Sequence, residues 1–254
     1  METNCKNCEI VLQPDCVHCP KCGQKTNLHR LSMHELAHEG FHYFTHADKG
    51  LIQLLRDLVL KRGTVAREYI DGKRKKYFSP LTFFLLVAAV YVFIFSIQSS
   101  IEPVHIGNDN MSPQWIRGLK TKAFFNKYSN FVAMFALPLN AFIFWLFYRK
   151  ARYNYTEHLV ACMYMIGFIL LCYAAVISPT IKLLGVPSYY GTMTLSIFQV
   201  VYSAAFYYRF IDRKTGAGKI KSIVVSLAST VCWFALSGFA VRTYILNGFW
   251  GLMK

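Results

Sequence analysis

Beyond residue 80 the chain alternates long apolar runs with short polar connections, and this alternation dominates the sequence. Five runs, near 81–99, 129–148, 157–177, 193–210 and 220–239, approach the roughly 20 residues with which a helix crosses a bilayer core. The pattern predicts an all-α polytopic membrane protein with about five transmembrane helices over 80–254. Upstream, Leu51, Ile52, Leu54, Leu55, Leu58 and Val59 recur at helical spacing, with Gln53, Arg56, Asp57 and Lys61 on the other face. Residues 28–79 are therefore expected to form juxtamembrane amphipathic helices lying in the interface.

Composition agrees with that pattern. Charged residues make up 16% of the 254 residues, against about 25% in soluble proteins, and mean hydropathy is +0.30. The net charge of +15 raises the question of nucleic acid, which the distribution of charge answers. Residues 80–254 carry 15 basic and four acidic side chains, and the basic ones sit in the connections between apolar runs. Membrane orientation accounts for this, and no nucleic-acid partner is expected. Seven cations (Lys61, Arg62, Arg67, Lys73, Arg74, Lys75 and Lys76) precede Pro80 and the first run. They predict a cytoplasmic N-terminus, a jointed collar resting on anionic lipid headgroups, and a C-terminus on the opposite side. The N-terminus is polar and cysteine-bearing, so no cleavable signal peptide is expected.

Five of the eight cysteines fall within residues 5–22. Two Cys-x-x-Cys pairs can place four thiolates around one tetrahedral metal. Cys5, Cys8, Cys19 and Cys22 are assigned as ligands of a structural Zn2+ in a zinc ribbon over 1–27, because Cys19-Pro-Lys-Cys22-Gly23 reads as the second knuckle. A Cys16/Cys19 pairing is the alternative. So short a segment has almost no core without a metal, and four thiolates leave no open coordination position. Cys162, Cys172 and Cys232 lie in apolar runs and read as packing residues.

His34, His38, His42 and His46 recur every fourth residue, one stripe on a helix. Within it His34-Glu35-Leu36-Ala37-His38 matches the H-E-x-x-H pattern of zinc proteases, in which the glutamate activates a metal-bound water. The longer metzincin pattern fails, because Phe41 and Phe44 occupy its next glycine and histidine positions. Three readings stand: a surface helix, a non-catalytic metal or proton-sensing site, and a metalloprotease with His34, Glu35 and His38 as candidate catalytic residues. A second metal site could draw on His34, His38, His42, His46, Glu157 and His158, since both groups are predicted at the cytoplasmic face. Glu157 alternatively suits the dipole at the start of the third run. Asn140, close after Pro138, is expected to serve helix packing.

The chain resembles an uncharacterised bacterial membrane family, a domain of unknown function joining an N-terminal zinc ribbon to several membrane helices. The resemblance rests on Cys19-Pro-Lys-Cys22-Gly23-Gln24, on His34-Glu35 through His46, on Asp48-Lys49-Gly50 and on Arg67-Glu68-Tyr69-Ile70-Asp71-Gly72-Lys73-Arg74 up to Pro80. Pro138 and Asn154-Tyr155-Thr156-Glu157-His158-Leu159-Val160 extend it. Where that family tends to have Arg-Pro-Gly, this chain has Lys61-Arg62-Gly63, which should loosen the turn. The resemblance implies architecture and location in a bacterial inner membrane, with no activity. The functional expectation is a non-enzymatic adaptor or sensor, with a protein partner reached through the ribbon. A membrane-surface metal site or protease, and a small-solute transporter or channel, are the alternatives.

Overall fold

Pro80 opens the first of the long helices in the computed structural model, which describes residues 4–13, 16–36, 50–101, 112–185, 188–212 and 215–247. The order is α1 (Gly50–Leu60), α2 (Thr64–Ile70), α3 (Pro80–Ile101), α4 (Pro113–Phe147), α5 (Tyr155–Cys172), a π-helical turn (Tyr173–Ile177), α6 (Ser178–Leu183), α7 (Ser188–Ile211) and α8 (Gly216–Asn247). Among the described residues there is no strand, only two isolated bridges (Asn4 with Val11, His18 with Lys25) in the cysteine segment. The fold is all-helical, and each of the five apolar runs lies in a long helix.

Two helices overrun their predicted ends for identifiable reasons. α4 starts at Pro113, because the Ser112 side chain accepts the Trp115 amide and proline suits the first turn. The third run continues past 177 into α6. The π-turn shifts the ladder so that the Ser178 amide reaches the Tyr173 carbonyl, just ahead of Pro179, which has no amide to give. Two helical stretches, Tyr155–Leu183 and Gly216–Thr243, are long and apolar enough to cross a membrane, with mean hydropathies of 2.4 and 1.9. Shorter apolar stretches fall at Pro80–Ile94 and Phe135–Phe147. α7 carries Thr192, Thr194, Ser196, Gln199 and Ser203, which dilute its apolar character.

α5 forms the centre of the bundle, packed against α3, α4 and α7, while α8 lies against α4 and α7. Asn140 sits where α4 meets α8: it donates to the Ala136 carbonyl at 2.8 Å and accepts from Ser229 Oγ at 2.6 Å. Its expected packing role is what the structure shows. The start of α3, the α4–α5 connection and the α7–α8 connection gather at one end of the bundle. Asp71 pairs with Arg152, Arg67 with Asp212, and Lys221 lies 4.8 Å from the Tyr148 ring centroid. α3, α5 and α8 therefore run away from this end, and α4 and α7 return to it.

The amphipathic segment differs from its expected surface position. Leu54, Leu58, Val65, Ala66 and Tyr69 are buried in the bundle core. Tyr202 of α7 donates to the Leu58 carbonyl at 3.0 Å. α1 is also rotated from its predicted facing: Ile52 and Val59 are exposed, while Asp57 is 2% exposed. The reason is polar. Asp57 Oδ2 accepts from Gln53, Lys61 and the Tyr77 hydroxyl at 2.9–3.0 Å, so a paired and hydrogen-bonded carboxylate is held inside.

Candidate metal centre and its docking surface

The two cysteine knuckles fold as tight turns. In the first, the Glu9 amide returns to the Cys5 carbonyl; in the second, the Gly23 amide returns to that of Cys19, with Gly23 at φ +68°. This is the left-handed conformation that favours glycine after the ligand. Cys19 N–H then donates to the Gln24 carbonyl at 2.8 Å and closes the loop. The Sγ atoms of Cys5 and Cys22 are 3.6 Å apart, those of Cys8 and Cys19 3.5 Å, and all four lie within 4.8 Å of one another. A tetrahedron with metal–sulfur bonds of about 2.3 Å has edges of about 3.8 Å, so the group can hold a metal ion. Cys16 stands outside it, and its carbonyl accepts from Thr26 Oγ1.

The thiols differ in acidity. Burial raises Cys19, but the amides of Cys22 and Lys21 pointing at its sulfur bring it down to about 6. At Cys8 the Ile10 amide lowers the thiol, yet burial and the neighbouring cysteines push it up to about 12. One thiolate forms readily, and further negative charge in so small a space calls for a cation.

The module does not stand free. Gln24, two residues after the last ligand, is 3% exposed. Its Nε2 donates to the Gly72 carbonyl at 2.5 Å, and its Oε1 accepts from the Lys75 amide at 3.2 Å. Gly72 has φ +119°, and a Cβ there would run into the aliphatic stem of Lys6 from the first knuckle. Both knuckles thus grip the turn that leads into α3. Arg74 Nη2 donates to the His29 carbonyl at 3.0 Å, Lys73 pairs with Glu9, and Arg30 pairs with Glu157 at 2.9 Å. At least four of the seven collar cations are in ion pairs within the chain: Lys61–Asp57, Arg67–Asp212, Lys73–Glu9 and Lys76–Glu68.

Of the candidate second metal site, only His34, Glu157 and His158 fall among the described residues, and these three are not grouped around one metal position. His38, His42 and His46 lie outside the described residues. His34 is exposed, and Glu35 forms a capping pair with Ser32, each accepting the other's amide. Glu157 caps α5 in a reciprocal box with Asn154 and accepts two hydrogen bonds from Arg30. His158 is fully buried among the rings of Tyr148, Tyr153, Tyr207 and Phe210. Among the described residues, Cys5, Cys8, Cys19 and Cys22 form the only group of three or more His, Cys, Asp or Glu side chains placed to share a metal.

Sequence reasoning missed Gln24, Lys6 and the Asp57–Tyr77–Glu68 network. Ser32-x-x-Glu35 and Asn154-x-x-Glu157 are capping-box signatures that could have marked two of the carboxylate roles; nothing local marked the contacts of Gln24, Lys6 and Tyr77, whose partners are distant in the chain. Among known proteins, no curated protein and no solved structure matches the chain. A family profile described as a protein of unknown function (DUF3667) matches residues 48–92, so the stretch from α1 through the Gly72 turn into α3 is similar to an uncharacterised family.

Proposed function

We propose that this chain is a non-enzymatic adaptor or sensor of a bacterial inner membrane, in which a cytoplasmic zinc ribbon is clamped onto the entry to the first of five spans. The observation that carries this reading is the Gln24 contact. One side chain, fixed by the fold of the second knuckle, holds both Gly72 O and Lys75 N–H. Metal-dependent folding of the ribbon is thereby linked to the turn before α3. The zinc is structural, since four thiolates complete its coordination.

Membrane insertion is supported by α8. A buried core helix of a soluble protein can be as apolar as α5, whose most apolar stretch is 56% buried within the protein. The corresponding stretch of α8 is only 22% buried, with Ile223, Leu227, Val231, Phe234 and Phe239 exposed. Such a surface is stable against lipid and costly in water.

Metal analysis of the full chain in detergent tests the reading. One zinc per chain is expected, lost in Cys19→Ser together with the protection of residues 71–77 from hydrogen exchange. A metal-free Cys19→Ser protein in which 71–77 remain as protected as in the wild type would sink it.

A further inference from the structure

At the ribbon end of the bundle, where α4 stops and α7 turns into α8, lies a cavity of ≈120 Å³. Its walls include Tyr148, Tyr207, Tyr208, Thr215, Gly218 and Lys221. Two ammonium groups are held there by aromatic faces. Lys221 lies 4.8 Å from the Tyr148 ring centroid, and Lys219 lies 5.7 Å from that of Tyr208. A ring face attracts an ammonium but gives its N–H donors no oxygen to bond. Neither lysine is in an ion pair among the described residues. Asp212, the one acid between Arg209 and Lys221, is taken by Arg67. In the collar, by contrast, at least four cations are neutralised within the chain. The start of α8 thus offers positive charge that the chain itself does not neutralise.

Beyond the recess the surface of α8 is apolar. Ile220 is exposed, as is Val224, one turn along from Lys221, and Leu227 and Val231 follow. We infer that this recess binds the headgroup of an anionic phospholipid from the cytoplasmic leaflet. A phosphodiester has two non-bridging oxygens, so each lysine can donate one charge-assisted hydrogen bond. Basic recesses between membrane helices at this face suit such headgroups, and the dipole at the start of α8 favours the same charge. The acyl chains would lie along the exposed residues of α8. A free phosphate gains nothing from that apolar stripe, which decides for the lipid. This inference rests on the membrane reading of the proposed function and adds the place at which one lipid is held.

The test uses the full chain in neutral detergent, with the thermal midpoint measured for every variant. Calorimetric titration with short-chain phosphatidylglycerol should give one saturable site, and phosphatidylcholine of the same chain length should give none. Lys219→Gln/Lys221→Gln should weaken the site at least about tenfold, as loss of charge-assisted hydrogen bonds does. Lys182→Gln, at the other end of the bundle, should leave it unchanged. Gly218→Leu should abolish it without lowering the thermal midpoint. A Cβ at Gly218 meets nothing within 4 Å, and leucine favours a helix over glycine. An unchanged site in Lys219→Gln/Lys221→Gln, the same weakening in Lys182→Gln, or equal binding of phosphatidylcholine overturns the inference. Inorganic phosphate that binds as tightly as the lipid also overturns it, by making free phosphate the occupant. A chain that leaves the membrane only in detergent yet shows no such site overturns the site alone. A chain that alkaline carbonate releases overturns the membrane reading and the site together.

Discussion

Among the described glycines, Gly63 has the least room for a side chain. A Cβ at this residue would collide with the Phe206 carbonyl oxygen and the Phe210 amide nitrogen, both backbone atoms of α7 that cannot rotate away. Gly63→Ala should lower the stability of the detergent-solubilised protein by about 1–3 kcal/mol, as overpacking does, read as a fall in thermal midpoint. The preceding Arg62 has φ +53°, and its amide donates to the Asp57 carbonyl at 2.9 Å. Proline is locked near φ −65° and has no amide, so the Arg-Pro-Gly of the resembling family cannot be this turn. The turn that was expected to be loose is closed in another way. Arg62→Pro should cost more than about 1 kcal/mol, whereas Arg62→Gly should change stability by no more than about 1 kcal/mol, in the stabilising direction.

Acid tests the interior of the same region. Burial raises Asp57 and Glu68, but hydrogen bonds from Lys61 and Gln53 to the first and from Lys76 to the second, with the one Tyr77 hydroxyl proton shared between the two, hold both carboxyls below their usual range. Burial and the two carboxylates push the Tyr77 phenol up, so it keeps its proton. Because the folded carboxyls bind protons less readily than the unfolded ones, their stabilisation is present above the unfolded values, about 4, and is lost as pH falls through the folded ones. The thermal midpoint should therefore hold from pH 7 to about 5 and drop below about 4. In Asp57→Asn it should start lower at pH 7 and fall less steeply with acid. An equal acid slope in both proteins would remove Asp57 from the account.

At the scale of elements, the apolar runs and the cysteine spacing were legible because each is a local signal. A run long enough for a helix does not depend on distant residues, and two Cys-x-x-Cys turns bring their own thiols together. The facing of α1 was not legible, because Asp57 looks like a surface residue until Tyr77, 20 positions on, is known to cover it. The same limit hid the ribbon's seat, where Gln24 meets a carbonyl 48 residues away. That seat makes a prediction separate from metal binding. Gln24→Ala leaves the four thiolates intact while stranding the Gly72 carbonyl and the Lys75 amide, a loss of about 1–3 kcal/mol for buried groups. Zinc content should stay at one per chain while trypsin cuts the Lys73–Lys76 cluster faster. Unchanged cleavage would mean that Arg30–Glu157 and Lys73–Glu9 suffice to hold the ribbon.

The number of membrane crossings is decided by the whole molecule. Among the described residues, only Tyr155–Leu183 and Gly216–Thr243 meet the length and hydropathy demanded of an isolated span, and two antiparallel spans alone would return the chain to the side on which it began. The packing argues against that reading. α5 and α8 both start at the ribbon end, where Arg30 meets Glu157 and Lys221 lies over Tyr148. If both cross a bilayer as proposed, a crossing back between them is required, and α7, which returns to the ribbon end, is the segment we propose for it, its polar residues sheltered by neighbours rather than by its own hydropathy. α3 and α4 form a further outward and return pair. On the proposed membrane reading the count is odd, three with α7 alone as return or five with this pair, and the ends of the bundle face opposite sides. Fluorescent protein joined ahead of the ribbon should therefore glow in the cytoplasm, and alkaline phosphatase joined after residue 247 should be active outside it. Phosphatase placed in the α7–α8 connection should be silent. Both ends on one side would refute the odd count and, with it, α7 as the return crossing.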